Sequence, residues 1–201
     1  SFSNFFSEEL VGDESYLHLR TLGGEDSLSY GGRDVEYPVG FGILTGLFGG
    51  TVFAVKLLHF IFGVLSFVLF YLILKKLAFL REERLFALFL LILSPGFIYL
   101  FSFSGSFSAA IFLSLLVFLL VMYEKHVLAS VVLLIVPFFN VLISLFNLAL
   151  FLLLYFKLKY SKVFLIGLVV SLGLVVGLYG FDLVHMVDIN VLDVVSDLGA
   201  D

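Results

Sequence analysis

Four apolar runs, roughly 51–74, 85–103, 105–123 and 163–181, dominate the chain and hold almost no charged side chains. A run of about 20 apolar residues is what a helix needs to cross a hydrocarbon core about 30 Å thick. A backbone inside lipid has no water to bond with, so it must satisfy its own N–H and C=O groups, and the helix does so within one segment. The runs are rich in Phe and Leu with Gly and Ser among them, and they lack the short alternating segments of a membrane barrel. Composition agrees, with 62% of residues hydrophobic and 13% charged, against about 45–50% and about 25% in an ordinary soluble domain. Mean hydropathy is +1.19. The expected fold is all-α, a polytopic transmembrane helical bundle, and a soluble globular domain is excluded by this reading.

The charges divide the chain into three parts. From Glu8 to Glu36 the head carries eight acids against Arg20 and Arg33, with Gly23-Gly24 and Gly31-Gly32 as turn signals. Tyr16, Leu17, Leu19, Leu22, Tyr30 and Tyr37 give this acidic loop something to bury. Residues 1–50 are thus read as a loop followed by a glycine-striped helix, in which Gly42, Gly46 and Gly50 recur at four-residue spacing and suit close packing of another backbone. Residues 51–181 are read as a bundle of about five or six helices, and 182–201 as an amphipathic segment.

Lysine and arginine near the ends of the runs set the expected orientation, because cytoplasmic loops hold their excess. Lys75, Lys76, Arg81 and Arg84 place the connection after the first run inside, and the chain returns inside at Glu124-Lys125-His126. A single span over 127–156 would then leave Lys157, Lys159 and Lys162 outside. Two short or re-entrant helices hinged near Pro137-Phe138-Phe139-Asn140 avoid that conflict. On this topology the acidic head and the tail share the non-cytoplasmic face.

Chemistry concentrates in Gly12-Asp13-Glu14-Ser15-Tyr16-Leu17-His18-Leu19-Arg20, where carboxylate, imidazole and guanidinium groups crowd beside a membrane. Asp13 can serve as a general base on an acceptor hydroxyl while His18 or Arg20 neutralises a phosphate leaving group. It can equally be the N-cap of a short surface helix, with Glu14 favourable in the first turn. Arg33 can hold a phosphate or form a loop ion pair. Lys56 and His59, three apart on the first run, can meet an anionic headgroup, or Lys56 can snorkel to the interface. Asp182, His185 and Asp188, or Asp193 with Asp197, can hold a divalent ion or form a solvated face. Asn140 and Asn147 are expected to bond between helices, and Gly173 with Gly177 to pack.

Several classes are excluded. The chain has no cysteine, which removes disulfides, thiolate catalysis and sulfur-bound metal. It has no phosphate-cradling Gly-Lys-Ser/Thr loop, no HExxH and no nucleophile elbow. With a net charge of −5 and no basic stripe, nucleic acid is not an expected partner.

The same head carries a resemblance. Gly12 to Arg20, then Ser29-Tyr30-Gly31-Gly32-Arg33, then Tyr37-Pro38-Val39-Gly40 resemble the first outer loop of prokaryotic GT-C-fold glycosyltransferases related to protein mannosyltransferases and oligosaccharyltransferase catalytic subunits. The resemblance covers about residues 8–50. It implies an enzyme that moves sugar from a polyprenyl-phosphate donor to a protein or glycan acceptor on the non-cytoplasmic face. It makes Asp13, with Glu14 beside it, the catalytic carboxylate, and it makes His18, Arg20, Arg33 and Lys56 the candidates for the donor's phosphate. Such enzymes have a helix before this loop and further spans beyond the last one here, so this chain is expected to be a piece of a longer protein. The connection Phe101-Ser102-Phe103-Ser104-Gly105-Ser106 carries no acid, so the family's second acidic motif is not there and a divalent metal is left open. The other reading of the chain is a non-catalytic membrane scaffold or a transporter-like subunit.

Overall fold

The computed structural model describes residues 39–49, 51–102, 107–155 and 161–179, and among them it is helical with no strand. In chain order the helices are α1 (Val39–Leu47), α2 (Val52–Lys76), α3 (Arg81–Leu93), α4 (Pro95–Ser102), α5 (Phe107–Met122), α6 (His126–Ile135), α7 (Val141–Tyr155) and α8 (Lys162–Tyr179). A 3-10 turn, Val136–Phe138, joins α6 to the residues before α7.

Helix α2 is the longest element. Thr51 caps its start, accepting a bond from the Ala54 N–H at 3.2 Å, and Lys75 and Lys76 sit in its last turn, where cations favour the negative end of the helix dipole. Its 25 residues span about 37 Å at 1.5 Å per residue. Ala78 ends it in the left-handed region at φ 62, with the Phe79 N–H reaching the Leu74 carbonyl and the Ala78 N–H the Lys75 carbonyl. The same paired bonds end α5 around Glu124, φ 58, from Lys125 to Leu120 and from Glu124 to Val121. Both stops follow the Schellman pattern, built here without glycine.

The apolar run 85–103 is not one helix. Ser94 takes φ −63 and ψ 122 and separates α3 from α4, because a residue before proline is pushed out of the helical region by the ring of Pro95. The tract 127–156 is divided as well. Pro137 offers no N–H to a helix, and the chain tightens into the 3-10 turn and restarts at α7. Asn140 then caps α7, its Oδ1 accepting from the Ile143 N–H at 3.0 Å.

Side-chain contacts fix the direction of each helix. At one end, Phe41 of α1, Val55 and Leu58 of α2, Ala109 and Ala110 of α5, and Val136 and Phe139 beside the break form one cluster. At the other, Leu69 and Ile73 of α2 meet Leu119 of α5. Phe164 near the start of α8 packs on His126 at 6.2 Å and edge-on to Phe151 of α7 at 5.4 Å. The chain therefore runs away from the second end along α6, turns at the break, and comes back along α7, as the hinged reading of 127–156 expected. Asn147 of α7 bonds across to Ser114 of α5 at 2.7 Å, which bears out the interhelical role read for it.

Helices α2 and α8 are long and apolar enough to cross a membrane, and only 39% and 28% of their most apolar windows are buried. The core helix of a soluble protein would be mostly covered. Helix α3 buries Leu88 alone and exposes Phe86 at 63%.

Close backbone approach occurs at other glycines than the four-residue pairs. A Cβ on Gly167 of α8 would lie 2.7 Å from Ser130 of α6, and one on Gly40 of α1 would lie 2.6 Å from the Phe138 carbonyl oxygen. At Gly173 and Gly177 nothing among the described residues stands within 4 Å, so these two do not pack against the described helices. Gly167→Ala should lower stability by about 1–3 kcal/mol through overpacking. Gly177→Ala should raise it by about 0.5–1 kcal/mol, because alanine replaces glycine in an open helical position. Unfolding equilibria of the two variants in one mild detergent check this contrast.

Candidate functional site

The two ends of the bundle differ in charge. Lys75, Lys76, Arg81, Arg84, Lys125 and Lys162 stand at or next to the ends of α2, α3, α5, α6 and α8 that meet on one side. The contacts that bring these ends together are Lys76 over Tyr123, Arg84 over Tyr71 and His126 against Phe164. Glu82, Glu83 and Glu124 lie there too. At the opposite end, around the break, Lys56 is the one charged side chain among the described residues.

The first and last described helices, α1 and α8, have the outer ends of their sequences, near Gly40 and Tyr179, at this opposite end. Gly40 of α1 packs on Phe138, and the Tyr179 hydroxyl, at the last turn of α8, donates to the Pro137 carbonyl at 2.9 Å. The carbonyl it meets lies where Pro137 interrupts the helical ladder, the kind of group that must find an internal partner away from water. Thr45, buried in α1, bonds back to the Gly42 carbonyl at 2.9 Å, so it adds no free polar group to the interior.

Of the candidate catalytic and donor-phosphate residues, Lys56 alone lies within the described part. It occupies the second turn of α2 and is half-buried. His59 departs from the expected headgroup contact. It is 3% exposed, its Nδ1 lies 2.9 Å from the Val55 carbonyl oxygen, and its ring stands edge-on to Phe41 at 4.9 Å. A helical turn of three residues rotates the side chain by about 300°, enough to carry His59 inward from the half-buried side that Lys56 takes. Asp13, Glu14, His18, Arg20 and Arg33 lie outside the described residues, as do Asp182, His185, Asp188, Asp193 and Asp197. Among the described residues no group of three or more His, Cys, Asp or Glu side chains gathers to hold a metal.

The end around the break can present an amino group, Lys56, beside an apolar interior closed by Phe41 and Phe139. A cation at the edge of an apolar layer suits a phosphate or carboxylate carried by an amphipathic molecule. The sequence did not single out Tyr179; its signal was present, since a tyrosine at the end of an apolar run marks an interface and its hydroxyl needs a partner when buried.

Comparison with protein-family models, with curated proteins and with solved structures finds no match for the chain.

Tyr179→Phe keeps the ring and removes the bond to Pro137. It should cost about 1 kcal/mol and speed amide hydrogen exchange at residues 136–140. Unchanged exchange there would mean that the break does not depend on this hydroxyl.

Proposed function

We propose that this chain is an integral membrane protein that crosses the bilayer several times, with its basic end in the cytoplasm and the end around the Pro137 break at the non-cytoplasmic face. The exposed apolar surface of α2, α3 and α8 supports this reading, since lipid covers such a surface at no cost where water would not. So does the collection of cations at one end.

Within that frame the chain belongs to a GT-C-like glycosyltransferase that moves sugar from a polyprenyl-phosphate donor to an acceptor. The observation that carries this is the run Gly12-Asp13-Glu14-Ser15-Tyr16-Leu17-His18-Leu19-Arg20, joined to the bundle through Val39 at the end that holds Lys56. In the transfer, the acceptor hydroxyl oxygen forms a bond to the anomeric carbon as the bond from that carbon to the phosphate oxygen breaks. Asp13 takes the hydroxyl proton, and the phosphate leaves with the bonding electrons. His18, Arg20, Arg33 and Lys56 supply positive charge to that leaving group. Glu14 assists in orienting the acceptor.

A second reading, a non-catalytic scaffold, is favoured by one observation. Gly173 and Gly177 face outward on α8 among exposed Val169, Val170 and Val176, a surface suited to close approach of another helix in lipid.

The test is sugar transfer from radiolabelled polyprenyl-phosphate donors in membranes carrying the full-length gene product, with wild type and Asp13→Asn at matched expression. A general base contributes about 10²–10⁴-fold, so the variant should lose at least about 100-fold in rate while retaining donor binding. Equal rates, or no transfer by wild type across a panel of lipid-linked sugars, would leave the scaffold reading in its place.

A further inference from the structure

The basic end of the bundle has an arrangement that orientation alone does not require. Among the described residues its cations are not neutralised by ion pairs. Lys75, Lys76, Arg81, Arg84, Lys125 and Lys162 make no ion pair with Glu82, Glu83 or Glu124 among the described residues, and Glu83 Oε2 accepts from the Leu80 N–H at 2.8 Å, capping α3. Two of the cations lean on aromatic rings instead. The Lys76 ammonium stands 4.7 Å from the centre of the Tyr123 ring. The Arg84 guanidinium stands 5.3 Å from that of Tyr71, with one long bond of 3.4 Å from Nη1 to the phenol oxygen. Its Nε is buried and has no partner.

The connection between these cations is apolar. Leu77-Ala78-Phe79-Leu80 lies between Lys76 and Arg81, with Leu77, Phe79 and Leu80 exposed at 50%, 44% and 69%. A four-residue turn in water is ordinarily polar. Exposed leucine and phenylalanine flanked by Lys and Arg match the boundary between acyl chains and headgroups, where apolar side chains enter the hydrocarbon and cations meet phosphate. An acidic protein or a nucleic acid would complement the charge and leave the apolar turn uncovered.

We propose that this end of the protein binds the headgroup of an anionic phospholipid, with Lys76 and Arg84 at the centre of the site and the Leu77–Leu80 turn seated in the acyl region. Tyr123 and Tyr71 hold the two cations at the height of the phosphate. The inference rests on the membrane reading above and is independent of the glycosyl-transfer reading.

The experiment is a thermal-shift titration of the purified full chain in neutral detergent with phosphatidylglycerol, phosphatidylcholine or water-soluble glycerol phosphate. Phosphatidylglycerol should raise the midpoint at low concentration, and the other two should not. In Lys76→Gln/Arg84→Gln the phosphatidylglycerol concentration needed should rise by about fivefold for each charge removed, with helical circular dichroism unchanged. The charge-keeping pair Lys76→Arg/Arg84→Lys should stay near wild type and shows that loss of charge, not of fold, is being read. Equal response to phosphatidylcholine, an unshifted titration in the glutamine pair, or stabilisation by glycerol phosphate alone would each overturn the proposal. A chain washed from membranes by alkaline carbonate would instead refute the membrane reading beneath it.

Discussion

The rest of the arrangement depends on how the backbone is satisfied where Pro137 interrupts the helix. An apolar interior offers no water to a freed carbonyl or amide, so a break survives only where side chains replace the missing partners. Here Asn140 supplies an acceptor to the first turn of α7, and Tyr179 supplies a donor to the Pro137 carbonyl from the far end of α8. With those bonds in place the chain reverses, and α7 runs back toward the end from which α6 came. Without the reversal, Lys162 would stand at the opposite end from Lys76 and Lys125, and the separation of charge along the bundle would be lost.

That separation gives the bundle a direction. One end combines cations, tyrosine rings and an apolar turn. The other combines α1, the break, the start of α2 with Lys56, and the last turn of α8. Between them the interior is closed by small and polar residues as much as by large ones. Ser130 meets Gly167 closely enough to exclude a methyl group, and the bond from Asn147 to Ser114 ties α7 to α5. Contacts of this kind suit a chain in which burial of apolar surface cannot drive helix association, because the surroundings are equally apolar.

Much of the fold was legible because apolar run length and proline are strong signals. The run 51–74 became α2 and the run 105–123 became α5, and the conflict of Lys157, Lys159 and Lys162 with a single span located the hinge at Pro137-Asn140. Ser94-Pro95 also marked a break, yet the run 85–103 was read through it, since hydropathy does not register a local backbone constraint. The stops at Ala78 and Glu124 carried no glycine and so no glycine signal; the paired backbone bonds of each cap accompany the left-handed residue there. Four-residue glycine spacing misled for a different reason. Spacing says which residues share a helix face and nothing about what faces it, so Gly173 and Gly177 were read as packed while Gly167 is the glycine that Ser130 approaches. At the candidate site, Lys56 was legible as an ionisable group in an apolar run, whereas the inward turn of His59 depends on Phe41, which only the fold brings near.

The measurement that tests the central claim most directly is the sidedness of single cysteines, which the absence of native cysteine in the chain makes clean. Lys75→Cys, Lys125→Cys, Lys162→Cys and Thr51→Cys, each expressed in intact cells, would be treated with a membrane-impermeant maleimide before and after permeabilisation. The account predicts that the first three label only after permeabilisation and that Thr51→Cys labels in intact cells. Opposite sidedness of Lys125→Cys and Lys162→Cys would mean that 126–155 crosses the membrane once, and the reversal at Pro137 would no longer order the protein.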